Sequence, residues 1–173
     1  MEFFDVVKNR CSMRAFADKP VEAEKIHKIL ETANAAPSAG NQQGYEIYLV
    51  RKAEQRAALV NAAWGQGFIA EAPVALVFCA NPGRSERRYG ERGIHLYSVQ
   101  DATIACTYAM LAAGALGLAT VWVGAFEEES VRQAVGIPEN LLPVAILPVG
   151  YAGRKYRTTS RRELGDLVHE VGG

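Results

Sequence analysis

The chain holds little from which to build a covalent staple or a metal centre: three cysteines and three histidines in 173 residues, widely spaced. Cys11, Cys79 and Cys106 are far apart, and two of them sit in strongly apolar surroundings, so buried free thiols are expected rather than a disulfide framework or a zinc site. His27, His95 and His169 have no second His or Cys at ligand spacing, so no metal is expected. An excess of one charge is also missing. Lys plus Arg equals Asp plus Glu at 19 each, which removes the global basic field that draws nucleic acid or anionic membranes and requires any anion site to be local. No apolar run approaches the roughly 20 residues of a membrane helix. The strongest candidate, 102–126, is broken by Gly114, Gly117 and Gly124, and the opening MEFFDVVKNR lacks the layout of a signal peptide. A cytoplasmic protein with no membrane or nucleic-acid partner is the expectation. Absent too is a GxGxxG strand–turn–helix that would fix a dinucleotide.

What is present is the composition of a folded domain, with apolar residues at 49% and charged residues at 22%, which argues against disorder. Residues 2–9 read as a short helix. Ile26, Ile29, Leu30 and Ala33 fall at i, i+3, i+4 and i+7 behind Pro20, which predicts a helix over 21–35 stopped by Pro37. YEIYLVR (45–51) predicts a strand, 53–64 a helix, and PVALVFCA (73–80) a strand buried on both faces. A polar, arginine-rich connector is expected over 81–93, then a long central helix over 95–116 whose small residues let a neighbour approach closely. ATVWVGAF (119–126) predicts another buried strand, 127–136 a helix with acids at its positive end, and LPVAILPVGYA (142–152) a last strand. This alternation implies an α/β or α+β sheet domain over 1–152. The extension 153–173 is basic at Arg154, Lys155 and Arg157, then weakly amphipathic through Leu164, Leu167 and Val168; having so little apolar surface, it is expected to dock elsewhere, on a second subunit.

Two clusters carry chemistry. RCSMR (10–14) offers two guanidiniums and a hydroxyl, groups suited to a phosphate through charge-assisted hydrogen bonds. The same residues equally fit a helix C-terminus whose basic side chains satisfy its last carbonyls. APSAGNQQ (36–43) crowds Pro37, Ser38, Asn41, Gln42 and Gln43 between helix and strand. Amides that donate and accept at once suit a flat heterocycle with alternating carbonyls and ring nitrogens, and suit a polar turn as well. Trp122 and Phe126 read as packing residues and Tyr89 and Tyr97 as lid candidates, while Gln100 and Asp101 are expected to satisfy interface hydrogen bonds.

These stretches, with IAEAPVALVF (69–78), RYGERGIHLYSVQDATIA (88–105), GLATVWVGAF (117–126) and GIPENLLPVAILPVGY (136–151), resemble the FMN-dependent nitroreductase family in its short form, nearly end to end. The resemblance implies an α+β fold with a mixed sheet flanked by helices, assembled as a homodimer whose two FMN sites straddle the interface and whose tail is exchanged. It implies that Arg10, Cys11 and Ser12 hold the FMN phosphate and ribityl chain, and that Arg14 reaches the N1 and O2 side of the ring, where a cation raises the flavin potential. Asn41 falls against the pyrimidine edge, Pro37, Ser38 and Gln43 line the pocket from the other subunit, the Gly124 and Ala125 backbone lies near N5, and Arg161 closes over the phosphate. The implied chemistry is ping-pong: NADH or NADPH as transient donor, tightly bound FMN as carrier, and an electron-poor small molecule such as a nitroaromatic or quinone as acceptor, with no catalytic side chain required. Relatives that dehalogenate, dehydrogenate or fragment flavin supply an alternative reaction. A non-redox module for an anionic ligand or RNA is the reading from another class, against which the neutral charge weighs. The chain departs from the family pattern at Gly44-Tyr45, where many members have proline and an aromatic, and at Gln66 and Phe68, where some carry a lysine.

Overall fold

The computed structural model describes residues 2–155 and 159–172, so Arg157 of the basic run lies outside it. Four strands form one sheet in the order β1–β2–β4–β3, with β1 Tyr45–Val50, β2 Val74–Ala80, β3 Ala119–Thr120 and β4 Leu142–Gly150, every neighbouring pair antiparallel. A parallel bridge from Ser12 to Thr120 adds the N-terminal segment outside β3 and makes the sheet mixed. The pattern of β2 explains its central place: Val74, Leu76, Phe78 and Ala80 turn to one face, Ala75, Val77 and Cys79 to the other, and all seven are buried.

Each face is covered by helices. On the first lie α2 (Ala23–Asn34), through Ile26, Ile29 and Ala33, and the long α6 (Ser98–Ala115), through Ala102, Ala105, Ala109 and Ala113. Alanine at these four positions lets α6 sit close to both α2 and the sheet, as its small residues predicted. On the second face lie α3 (Ala53–Ala62), α4 (Phe68–Glu71) and α7 (Glu128–Val135), packed through Leu59, Ile69 and Val131. The N-terminal α1 (Phe3–Asn9) buries only Val6 and rests on α6.

Two segments differ from expectation. The polar connector is largely helical: α5 (Pro82–Arg92) starts at a first-turn proline, kinks at Gly90 and runs through a π turn (Gly93–Tyr97) into α6. Its helicity reflects long Arg and Glu side chains, good helix formers, and the burial of Ser85 against the loop before β1. The strand expected over 119–126 pairs continuously with β4 for two residues, meets it again at the Val123–Ile146 bridge, and leaves the sheet at Gly124. No described helix is long and apolar enough to cross a membrane.

Candidate functional site

The RCSMR segment is extended beside β3, with the Met13 N–H donating to the Thr120 carbonyl at 3.0 Å. Extended chain alternates its side chains. Met13 is buried and Cys11 half-buried against the core, whereas Ser12 and Arg14 are exposed and Arg10 is half-exposed. Arg10, Ser12 and Arg14 therefore turn away from the core together. Arg10 caps α1, but through its backbone N–H to Val6. Among the described residues none of these three side chains is committed to a hydrogen bond or an ion pair, so the helix-end reading finds no support in contacts. Two guanidiniums and a hydroxyl left free on one side form a donor set that fits a phosphate.

The amide cluster is a strained turn. Gly40, Asn41 and Gln43 have φ of 53°, 58° and 51°, in the left-handed region, where glycine is at ease and asparagine is tolerated. Three sets of contacts hold it. The Ser38 hydroxyl accepts the Gln43 N–H at 2.9 Å. The Asp101 carboxylate, 1% exposed, accepts the N–H of Ala39 at 2.9 Å with one oxygen and of Gly44 at 3.0 Å with the other. From α5, Arg84 donates to the Gln42 carbonyl and Arg88 to that of Gly40. Within the turn Gln43 Nε2 donates to Asn41 Oδ1 at 3.1 Å, which leaves the Asn41 amide group to donate and the Gln43 oxygen to accept. Such a pair matches the edge of a pyrimidine ring.

Asp101 is the residue sequence reasoning misplaced. Instead of serving an interface, it ties the turn to α6 within one chain, and its signal was the lone charged side chain of that helix. Gly44 has a similar logic. A Cβ there would stand 2.4 Å from the buried Ser85 hydroxyl, and proline could not donate the hydrogen bond that Asp101 receives. Tyr89 and Tyr97 stack edge to face at 5.0 Å above this turn, with the Tyr89 hydroxyl against Gly40.

A third element is the exposed backbone after β3. The N–H groups of Gly124 and Ala125 find no acceptor among the described residues, while the Ala125 carbonyl accepts from Gln66 Nε2 at 3.0 Å. Trp122 and Phe126 pack on the two core clusters. Among the described residues Arg161 donates to its near neighbours Thr159 and Ser160 alone. Pro37 is exposed at the end of α2. His27 and His95 pair with Glu31 and Glu91, and no cluster of potential metal ligands occurs among the described residues. Burial pushes the Cys79 thiol up to about 12 and the Cys106 thiol higher, so both stay protonated and inert.

One protomer does not bring all of these together. The turn leads into β1 and RCSMR lies outside β3, on opposite edges of the sheet, with about 19 Å between them at four interstrand spacings.

The profile of the nitroreductase family matches residues 7–67 and 61–151. An Archaeoglobus fulgidus protein provisionally named NADH dehydrogenase/NAD(P)H nitroreductase is 33% identical over 154 residues, covering 87% of this chain and 85% of that one. A Bacillus subtilis FMN reductase (NADPH) is 28% identical over 184 residues, covering 96% of this chain and 74% of that one. Among solved structures, Bacillus megaterium NfrA2 superposes with a TM-score of 0.91 at 27% identity, over 99% of this chain and 75% of that one.

Proposed function

The chain belongs to the nitroreductase family, and from that premise we propose that it is an FMN-dependent oxidoreductase passing two electrons from NAD(P)H to an electron-poor acceptor such as a nitroaromatic or quinone, by a ping-pong route. The observation that carries the reading is the uncommitted donor set Arg10, Ser12 and Arg14, facing away from the core beside a backbone with two free N–H groups. Bound FMN supplies a ring that takes up and releases a hydride at N5; the protein's part is to hold and tune it.

Arg10 and Ser12, with the Cys11 backbone between them, would hold the phosphate and ribityl chain. Arg14 would set a positive charge beside the ring. The Gly124 and Ala125 N–H groups would donate toward N5, and the turn at Pro37, Ser38, Asn41 and Gln43 would close the pocket. None of these groups needs to gain or lose a proton, so the contribution is positioning and fixed electrostatics.

The separation of turn and RCSMR across the sheet supports a homodimer in which each site takes its turn from the other subunit. An apolar groove between α1, α2 and α6, lined by Phe3, Val6, Tyr108, Leu111 and Leu116, offers a surface for that contact. Residues 1–152 would then be the FMN-binding domain and 153–173 an extension crossing to the partner, bringing Arg161 over the phosphate there. All described residues of 159–172 are exposed, Leu164 at 75% and Val171 at 97%, and the extension's own chain covers none of them. A nicotinamide donor would suit a cytoplasmic location.

The test is a visible spectrum of the purified protein followed by anaerobic NADH, then NADPH. A yellow protein that bleaches and recovers its colour with a nitroaromatic or quinone is expected. A colourless protein that takes up no added FMN overturns the reading.

A further inference from the structure

Trp64 combines two costs that the fold does not require. It is 70% exposed, so a large apolar ring faces water, and its φ of 54° lies in a region that bulky side chains rarely adopt. Glycine would hold the same backbone without either cost.

The turn is nevertheless held firmly. The Trp64 N–H donates to Asn61, the Gly65 N–H to Val60, and Gln66 Nε2 to both Ala63 and Ala125; one step further, the Glu127 N–H donates to Ala62. These bonds fasten the Trp64 turn to the 125–127 backbone, next to the two free N–H groups assigned to N5. With the backbone held there, the exposed indole offers a flat, polarizable face to whatever approaches that edge.

We propose that Trp64 is a wall of the acceptor site, a specificity-determining residue that selects planar aromatic acceptors by stacking. The inference rests on the FMN reading above and narrows it: planar nitroarenes and quinones are favoured over compact, non-aromatic oxidants. Stacking of this kind contributes about 1 kcal/mol beyond area burial, about fivefold in affinity, and the area the ring buries against the acceptor adds to it.

The experiment is calorimetric titration of 4-nitrobenzamide into the FMN-loaded, oxidised protein with no donor present, for the wild type, Trp64→Gly and Trp64→Phe, with gel filtration of each. Trp64→Gly is expected to bind about tenfold more weakly and Trp64→Phe within about threefold of wild type. In turnover, Trp64→Gly should lose about tenfold in kcat/KM for 4-nitrobenzamide relative to ferricyanide. Equal affinity in all three proteins overturns the proposal. So does a Trp64→Gly protein that elutes as a monomer where the wild type is a dimer, which would assign the ring to subunit contact. A wild-type chain that takes up no FMN removes the underlying reading and this inference with it, an outcome separate from an FMN-loaded protein indifferent to position 64.

Discussion

At the scale of single residues, Asp101 matters most to the shape of the turn. Both its oxygens receive backbone N–H groups, so an amide in its place would turn an NH2 toward one of two donors. Asp101→Asn is expected to destabilise the protein by about 2 kcal/mol and to lower Tm by about 4–8 °C, with a weaker dissociation constant for FMN; calorimetry and flavin titration check both. In the proposed FMN site Arg14 would act through charge: Arg14→Ala should lower the flavin midpoint potential in spectroelectrochemistry, and an unchanged potential would remove that role. Glu127 illustrates pH dependence. As the cap of α7 it accepts from the Ser130 and Glu129 N–H groups, and the hydrogen bonds at Ser130, then Glu129, hold its carboxyl below its usual value of 4.5. Because the folded value is lowered, its stabilising contribution is full above the unfolded value and is lost as pH falls through the folded one. The Tm advantage of wild type over Glu127→Gln should thus be present at pH 7 and shrink as the pH drops below about 4.5, measured by thermal melts across pH.

At the scale of elements, α5 and α6 grip the turn before β1 from two sides, through arginine to its carbonyls and aspartate to its N–H groups. The fit leaves no room at Gly44, whose added Cβ would also stand 3.1 Å from Asp101 Oδ2 and 3.4 Å from the Ser98 backbone. Gly44→Ala is expected to cost about 1–3 kcal/mol by overpacking and to loosen FMN; a melt within 1 °C of wild type, roughly the resolution of a few tenths of a kcal/mol, would contradict this. The helicity of 82–92 has a functional side. With α5 a helix, Arg84 and Arg88 fall one turn apart and reach two carbonyls of the same turn, those of Gln42 and Gly40, which an irregular connector would not guarantee.

At the scale of the whole molecule, the sheet separates the two halves of the proposed FMN site, and the extension exposes leucine and valine that its own chain does not cover. Both support the proposed homodimer. Truncation after Ala152 is expected to weaken the dimer and release FMN on gel filtration, read by sedimentation velocity and the flavin-to-protein absorbance ratio. A truncated chain that stays dimeric and fully loaded would show that 153–173 contributes to neither.

The sequence by itself determined what depends on near neighbours and on residue chemistry. The period of α2, the continuous apolar run of β2, the small-residue face of α6 and the unpartnered tail were all legible, because helices and strands write their burial into spacings of a few residues. The donor types at Arg10, Ser12 and Arg14 were legible as well. Only the tertiary structure decided that these three share an exposed side, because that follows from pairing Ser12 with Thr120 more than a hundred residues away. It alone gave Asp101 its two backbone partners, 62 and 57 residues distant, and drew the strained Trp64 turn against Ala125. Such contacts are set by how layers close on one another, and no local pattern encodes which distant donor a buried carboxylate will meet.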